Sequence, residues 1–327
     1  VTESSQPAAA RYAAHDAAGI AGFSEEDAHR AGLVATELAT NLVKHAVGGE
    51  LLVRGLHGPV VPEVEIIAID RGPGIAEVGR AMTDGHSTTG TAGTGLGAVR
   101  RLSDDFHIYS QRDRGTVALA RLRPGRAERS PRPFLEAAAI SVPKSGETVC
   151  GDAWQVYAHA EGLIALVADG LGHGLPAHEA ATAAVAAVDP RRSVDLPELL
   201  QTIHAALRHT RGAAVALADI RPRPRVIRFA GVGNVSGVVW GAAAVRRTVS
   251  LNGTLGHQAR QFREFSYPWE HEAVLIMYSD GLASHWSIDD YPGLRRRDPA
   301  VIAAVLYRDF SRQRDDVTVL VARESAQ

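Results

Sequence analysis

Between Ser24 and Ala46 the polar and apolar positions follow a helical period, and the segment opens with a start signal. Ser24 is of the N-cap type, and Glu25, Glu26 and Asp27 behind it suit the positive end of a helix. Leu33, Leu38 and Leu42 carry the predicted helix towards Ala46. Apolar or alternating runs at 51–54 and 64–70 predict strands. A helix is expected at 97–102 behind a glycine-rich loop, and 106–109 and 116–122 read as closing strands. Helices followed by an antiparallel sheet make an α+β sandwich.

The pattern breaks at 121–133, where five arginines and three prolines leave hardly any apolar side chains to form a helix face or a buried strand. A solvated linker is expected, dividing the chain into domains at 1–122 and 134–327 with 123–133 between them. Beyond it strand-like runs dominate, at 155–160, 163–169, 213–220, 226–230, 236–240, 273–279 and 317–322. An Ala-rich helix after Gly174 and a second over 196–210 interrupt them, so the second domain is predicted as two packed sheets flanked by helices. The basic stretch 221–225 lies between two strand runs and reads as a hairpin loop, because no aromatic side chains interleave with its charges as nucleic-acid binding would favour.

Composition narrows the setting. The chain has 327 residues, ample for two domains, and a formal net charge of -2, which favours neither nucleic acid nor an anionic membrane as partner. The single cysteine, Cys150, excludes an intramolecular disulfide and suits a reducing compartment. There is no run of about 20 apolar residues and no charged-then-apolar leader pattern. A cytoplasmic protein without membrane or nucleic-acid partners is expected.

Three features of the first domain bear on chemistry. Glu37 and Asn41, with His45 a further turn on and Lys44 beside it, line one helix face. An Asn one turn from a carboxylate suits a hydrated Mg²⁺ ion, and equally a plain solvated face. Asp70 leaves an apolar strand into the turn Arg71-Gly72-Pro73-Gly74, where it is able to accept from a buried amino group or to serve as an ordinary turn former. The run Gly90 to Gly97, with Gly93, Gly95 and Gly97 alternating, leads into a helix, so backbone N–H groups and the helix N-terminus favour a phosphate; the alternative is a surface loop. No Gly-Lys-Ser/Thr follows, so it is not a Walker loop.

The order of these motifs resembles the ATP-binding fold shared by histidine kinases, gyrase, Hsp90 and MutL. The stretches Ala81 to Gly90 and Gly95 to Leu102 are similar to the RsbT-type switch kinases of bacterial stress signalling. The resemblance covers residues 24–122 and implies Glu37 as general base, Asn41 as Mg²⁺ ligand with Lys44 nearby, and Asp70 as the adenine contact. Gly72 and Gly74 then shape the adenine pocket, and Gly93, Gly95 and Gly97 cradle the phosphates of ATP. The same family leads one to expect a first strand, which is short or absent before Arg11.

In the second domain carboxylates recur at strand ends: Asp152 before one run, Asp169 after the next, Asp280 after another, and Asp315 with Asp316 at the start of the last. Any one of them alone is an ordinary turn former. Gathered together, they need divalent cations to relieve their repulsion, and oxygen ligands suit Mg²⁺ or Mn²⁺; two such ions about 3.5–4 Å apart activate water and clamp a phosphoryl oxygen. The set, with Phe229 to Asn234 between its members, resembles the SpoIIE-like branch of the metal-dependent serine/threonine phosphatases over residues 136–323, and the compact size is most similar to the RsbX type. The resemblance implies Asp152, Asp169, Asp280 and Asp315 as metal ligands, joined by the Gly170 carbonyl, with Asp316 ranked below Asp315. His173, beside the metal motif, reads equally as a phosphate contact or a loop-stabilising residue, and Cys150 reads as packing, because no phosphate-loop arginine follows it.

The expected whole is a bifunctional regulator of a bacterial partner-switching, stressosome or sigma-factor pathway, with ATP-dependent kinase and metal-dependent phosphatase activity on STAS-domain proteins, including an anti-sigma system. Two rivals are a phosphatase gated by a non-catalytic ATP-sensing domain, and a docking scaffold with decayed sites.

Overall fold

A computed structural model describes residues 3, 5–56, 62–82, 95–127 and 133–325. The chain divides into two compact units, Val1–Arg132 with Asp289–Arg308, and Pro133–Ile288 with Asp309–Gln327. Among the described residues no helix is long and apolar enough to cross a membrane.

The first unit starts with helices α1 (Gln6–Ile20) and α2 (Glu25–His45). Among the described residues no strand precedes Arg11, which lies in α1, an Ala-rich helix whose Ala10, Ala14 and Ala18 form a buried stripe at four-residue spacing. Ser24 caps α2 by accepting from the Asp27 N–H at 3.2 Å, with Lys44 and His45 at the opposite, negative end. The buried face of α2 includes Ala31, Val34, Ala35, Leu38 and Leu42. Leu33 is exposed instead, since five residues before Leu38 is about 140° round the helix and off that stripe.

Strands β1 (Glu50–Leu56) and β2 (Glu63–Ile69) follow, then the short α3 (Val78–Ala81), α4 (Gly95–Leu102), β3 (Asp105–Gln111) and β4 (Gly115–Leu122). The four strands form an antiparallel sheet in the order β1-β2-β4-β3. Val64, Ile66 and Ala68 of β2 and Ala118, Ala120 and Leu122 of β4 share a core with α1 and α2. The alternate set, Glu65, Ile67, Ile69, Val117, Leu119 and Arg121, is buried too, which is why β2 reads as a continuous apolar run rather than an alternation.

Arg121 and Arg123 correct the solvated-linker reading at its start. Arg121, 7% exposed, donates to Glu65 at 2.8 Å and to both oxygens of Asp298 at 2.6 and 2.9 Å. Arg123, 4% exposed, donates to Glu63 at 2.6 Å and pairs with Asp105. Composition signals solvent only where charges lack buried partners, and here acidic residues on neighbouring strands and on 289–308 supply them.

The second unit is a sandwich of two antiparallel five-stranded sheets. One contains β6 (Asp152–His159), β7 (Gly162–Gly170), β8 (Ala213–Arg221), β9 (Val226–Val232) and β12 (Phe265–Pro268), in the order β12-β9-β8-β7-β6. The other orders β5 (Leu135–Val142), β10 (Ser236–Trp240), β11 (Val245–Arg247), β13 (Val274–Tyr278) and β14 (Val317–Glu324) as β11-β10-β13-β14-β5. Helices α5 (Leu175–Ala186) and α6 (Leu196–Ala206) belong to this unit. On β7, Leu163, Ala165 and Val167 join the core between the sheets, while Ile164, Leu166 and Ala168 join a second core with α5 and α6. Burial on both faces explains its unbroken apolar run. The stretch 221–225 is the β8–β9 hairpin connection, as expected.

One helix of the second half of the chain, α7 (Pro299–Phe310), is counted with the first unit as far as Arg308. Within that unit Asp298 holds Arg121, the Tyr307 hydroxyl donates to Glu50 at 2.6 Å, and the Arg71 guanidinium donates to the Arg308 carbonyl.

Candidate functional site

Strand register puts the carboxylates of the second unit at one end of the sandwich. Asp152 opens β6 and pairs directly with Asp169 near the end of β7. Asp280 follows β13 by two residues, and Asp315 and Asp316 precede β14, which pairs antiparallel with β13. The two sheets are tied at this end by the Ser279 hydroxyl, which donates to Asp152 Oδ2 at 2.6 Å and accepts from the Thr318 N–H at 2.9 Å. Gly281 is required here, since a Cβ would lie 2.1 Å from the Asp316 carbonyl oxygen. The Gly170 N–H donates to the Gly151 carbonyl at 3.1 Å, which fixes the strand end carrying the Gly170 carbonyl.

Burial and mutual repulsion act on the cluster together. Burial pushes the Asp152 carboxyl well above the ordinary carboxylate range, with Asp316 and Asp280 adding to the rise and the Ser279 and Thr318 hydroxyls opposing it. Asp169 is raised by burial and then by Asp152, Asp280, Asp315 and Asp316. Asp316 is 3% exposed; its Oδ1 accepts from the Lys144 N–H at 2.9 Å, while its buried Oδ2 has no hydrogen-bond partner among the described residues. Asp315 is half-buried and accepts from the Asp316 N–H at 3.0 Å. Asp280 is exposed, with Oδ2 held by the Asn234 amide at 2.7 Å. An all-oxygen set with a buried orphan oxygen and mutually repelling carboxylates fits hard divalent cations.

Sequence reasoning had not assigned roles to Ser279, Thr318 or Asn234, which orient the aspartates. A signal existed: Thr318 is a polar residue inside a buried run, and Ser279 directly precedes Asp280. The His173 Nδ1–H donates to Glu147 Oε1 at 2.6 Å, a loop contact. The Cys150 thiol is pushed up to about 12 by burial and by Asp152, so it is no nucleophile at neutral pH and behaves as a packed side chain.

In the first unit Glu37 and Asn41 are half-buried on α2, whereas Lys44 and His45 are exposed in its last turn. The start of α4 meets this face: a Cβ on Gly95 would lie 3.3 Å from Asn41 Oδ1. The Asn41 amide nitrogen is buried and has no partner among the described residues. Asp70 Oδ1 accepts from the Gly72 N–H at 2.6 Å, and burial raises its pKa against the opposing influence of that bond, Arg308 and Thr116. Gly74 has φ 72° and a Cβ there would lie 2.3 Å from the Gln111 carbonyl oxygen, so that position of the turn after Asp70 admits no side chain. Gly97 is buried in α4, and Gly93 with the rest of 83–94 lies outside the described residues. No hydrogen bond or ion pair joins Glu37 or Lys44 to Asp70 among the described residues. The structure thus brings Asn41 and Gly95 together, and an orphaned amide beside a helix N-terminus fits a phosphate group.

Comparison with known proteins assigns both units. Residues 159–324, half of the chain, match the family model for stage II sporulation protein E (SpoIIE). The chain belongs to the SpoIIE family. Residues 2–122 match a histidine kinase-like ATPase domain, so this SpoIIE member carries an ATPase-like unit ahead of its phosphatase-type unit. Serine/threonine-protein kinase RsbT of Bacillus subtilis (strain 168) is 36% identical over 108 residues, covering 33% of this chain and 81% of that protein. Phosphoserine phosphatase RsbX of the same organism is 25% identical over 185 residues, covering 56% of this chain and 91% of that protein. A chain solved in work on the bacterial stressosome as a modular system adapted to control secondary messenger signalling is similar at TM-score 0.54 and 28% identity, over 58% of this chain and 99% of that one. The RsbT-like and RsbX-like resemblances read from the motifs therefore hold, on the α+β architecture expected.

Proposed function

We propose that this SpoIIE-family chain is a two-activity partner-switching regulator: its second unit hydrolyses phosphoserine or phosphothreonine on a STAS-domain protein of a stressosome or anti-sigma system, and its first unit phosphorylates such a protein from ATP. The observation that carries the reading is the convergence of Asp152, Asp169, Asp280 and Asp315 from two facing sheets on one end of the sandwich.

In the second unit Asp152, Asp169, Asp280 and Asp315, with the Gly170 carbonyl, would hold two Mg²⁺ or Mn²⁺ ions. Bound there, the ions would supply an acidified water and neutralise the phosphoryl oxygens. The chain's own contribution is orientation: Ser279 and Thr318 hold Asp152, and Asn234 holds Asp280. Asp316, with its orphan Oδ2, either adds a ligand or fixes the loop through Lys144, and comparing Asp315→Asn with Asp316→Asn separates these roles. In the first unit Asn41 would take Mg²⁺ with ATP, Gly95, Gly97 and Gly93 would face the phosphates, and Asp70, shaped by Gly72 and Gly74, would accept from the adenine amino group. Glu37 would take the proton from a protein hydroxyl, with Lys44 one turn beyond Asn41.

The direct test is hydrolysis of a generic phosphate ester and of a phosphoserine peptide by the whole chain with Mn²⁺, with EDTA and with ATP. Metal-dependent turnover lost in Asp169→Asn and in Asp280→Asn supports the phosphatase; unchanged turnover in both variants removes the metal-site assignment.

One observation favours a second reading, in which the first unit senses nucleotide and gates the phosphatase. Segment 289–308 lies in sequence between the ligands Asp280 and Asp315, yet belongs to the ATPase-like unit. There Arg71, the neighbour of Asp70, donates to the Arg308 carbonyl at 3.0 Å, seven residues before Asp315. Under gating, ATP changes phosphatase turnover in Glu37→Ala as in the wild type, while phosphotransfer is absent from both. Phosphotransfer present in the wild type and lost in Glu37→Ala selects the kinase.

A further inference from the structure

A cluster with different chemistry lies where α1 turns into α2. His15 Nε2 is 3.2 Å from Glu25 Oε1, and His29 Nδ1 is 3.4 Å from the same oxygen. One ligand atom from each residue falls within 4.8 Å of the other two, and the imidazole rings stand edge to face with centroids 5.3 Å apart. Among the described residues this is the one group of His, Cys, Asp or Glu gathered so tightly.

We propose that His15, Glu25 and His29 form a surface site for a zinc-class transition metal, distinct from the carboxylate centre. The spacing is the first argument. Bonds of about 2.0–2.1 Å in a tetrahedral shell put neighbouring ligand atoms about 3.3–3.4 Å apart. The separations of 3.2 and 3.4 Å already match that edge, so binding needs little rearrangement. Donor type is the second argument. Two imidazoles and one carboxylate suit Zn²⁺, Co²⁺, Ni²⁺ or Cu²⁺, whereas Mg²⁺ and Mn²⁺ favour the all-oxygen set of the second unit. Access is the third: the side chains of His15, Glu25 and His29 are 34%, 76% and 52% exposed, leaving room for a solvent molecule in the fourth position.

Two groups oppose the ion. The His29 ring nitrogen lies 2.9 Å from the Glu25 carbonyl oxygen, a hydrogen bond that the metal bond replaces. All three residues also sit near the positive end of α2, where Glu25 supplies the compensating charge. The consequence is a staple: the ion would bind α1, through His15, to the first turns of α2, the helix that carries Glu37 and Asn41.

The test uses the full chain in saturating Mg²⁺, so that hard-cation sites are filled. Co²⁺ is titrated while visible absorption is followed, and Zn²⁺ is then added in competition. One Co²⁺ per chain with a tetrahedral-type visible band, displaced by Zn²⁺ and not by more Mg²⁺, is expected. His15→Gln and His29→Gln should each weaken Co²⁺ binding at least tenfold, and the near-isosteric Glu25→Gln should do the same without changing side-chain volume. Glu25 and His29 are exposed and His15 is half-buried, with none in the core, so metal-free melting of the variants should stay close to the wild type. Absence of the band from the wild type, or a band with an unchanged midpoint in both histidine variants, overturns the site.

Discussion

In the second unit the chemical groups ride on strand ends, and in the first they ride on a helix face and the turns beside it. The register Asp152↔Asp169 and the antiparallel pairing of β13 with β14 leave the aspartates no choice of neighbour, although their mutual repulsion and burial oppose the arrangement. Glu37 and Asn41 depend on α2 for their spacing, and among the described residues Gly95 of α4 closes on Asn41. A strand-built site tolerates electrostatic cost because the sheet's hydrogen bonds and apolar core hold it; a helix-built site is tuned by what docks on the helix. The two units also differ in where their buried charge goes. Arg121 and Arg54 in the first offset Glu65 and Asp298, while the aspartates in the second repel one another.

That contrast is most sharply broken by removing Arg121. Arg121→Ala leaves Asp298 buried without its guanidinium and Glu65 with Arg54 alone, and the loss of one partner from such a network costs about 3–5 kcal/mol. Denaturant unfolding should show a destabilised first unit, with the ester hydrolysis of the second retained at temperatures where the first still folds. A loss below about 1 kcal/mol would place the network among ordinary surface pairs.

Asp152→Asn should do the reverse. Turnover is expected to fall by about 10²–10³, or about 3–4 kcal/mol of transition-state stabilisation, because the residue nearest both Asp169 and the Ser279 tie no longer carries charge. Metal-free stability should hold or rise, since a repelling, buried charge is gone. A variant that melts lower without metal and hydrolyses normally would mean that Asp152 is structural.

The same logic gives a pH dependence. Asp152 and Asp169 have folded pKa values raised above the unfolded value of about 4, so between these limits the folded state binds more protons than the unfolded one. Metal-free stability should therefore fall as pH rises from about 4 towards neutrality and slightly beyond. Saturating Mg²⁺ or Mn²⁺ should flatten that slope, because bound cations favour the ionised form. Thermal melts in EDTA and in Mg²⁺ across this range check it, and parallel slopes in both would mean that the cations bind elsewhere.

Most of what the sequence could say lay in periodicity and caps. The Ser24 cap, the strand run at 163–169 and the hairpin at 221–225 are local or period-driven, and each appears as expected. Helix α1 was hidden because alanines signal neither period strongly. The helix α7 was not foreseen at all, and the burial of Arg121 and Arg123 could not be, because their partners lie far off in sequence. Aspartates at strand ends were legible as candidates, but the hydroxyls of Ser279 and Thr318 that hold them became visible only in three dimensions.

The smallest expected effect probes the helix-built site. Asn41→Ala removes the amide whose nitrogen is buried without a partner, so nothing in the nucleotide-free fold is lost by deleting it. A buried donor left unsatisfied costs about 1–3 kcal/mol, so the free protein should be no less stable, and slightly more so if the helix gain of Ala over Asn is realised. Mg²⁺-ATP affinity, measured by titration calorimetry on the whole chain, should drop about tenfold, about 1.4 kcal/mol for one lost contact to a charged group. Ester hydrolysis without ATP should be untouched, since the aspartates belong to the other unit. If stability falls while affinity holds, the amide serves the fold of α2 against α4 rather than a ligand, and the first site would have to be sought nearer Asp70.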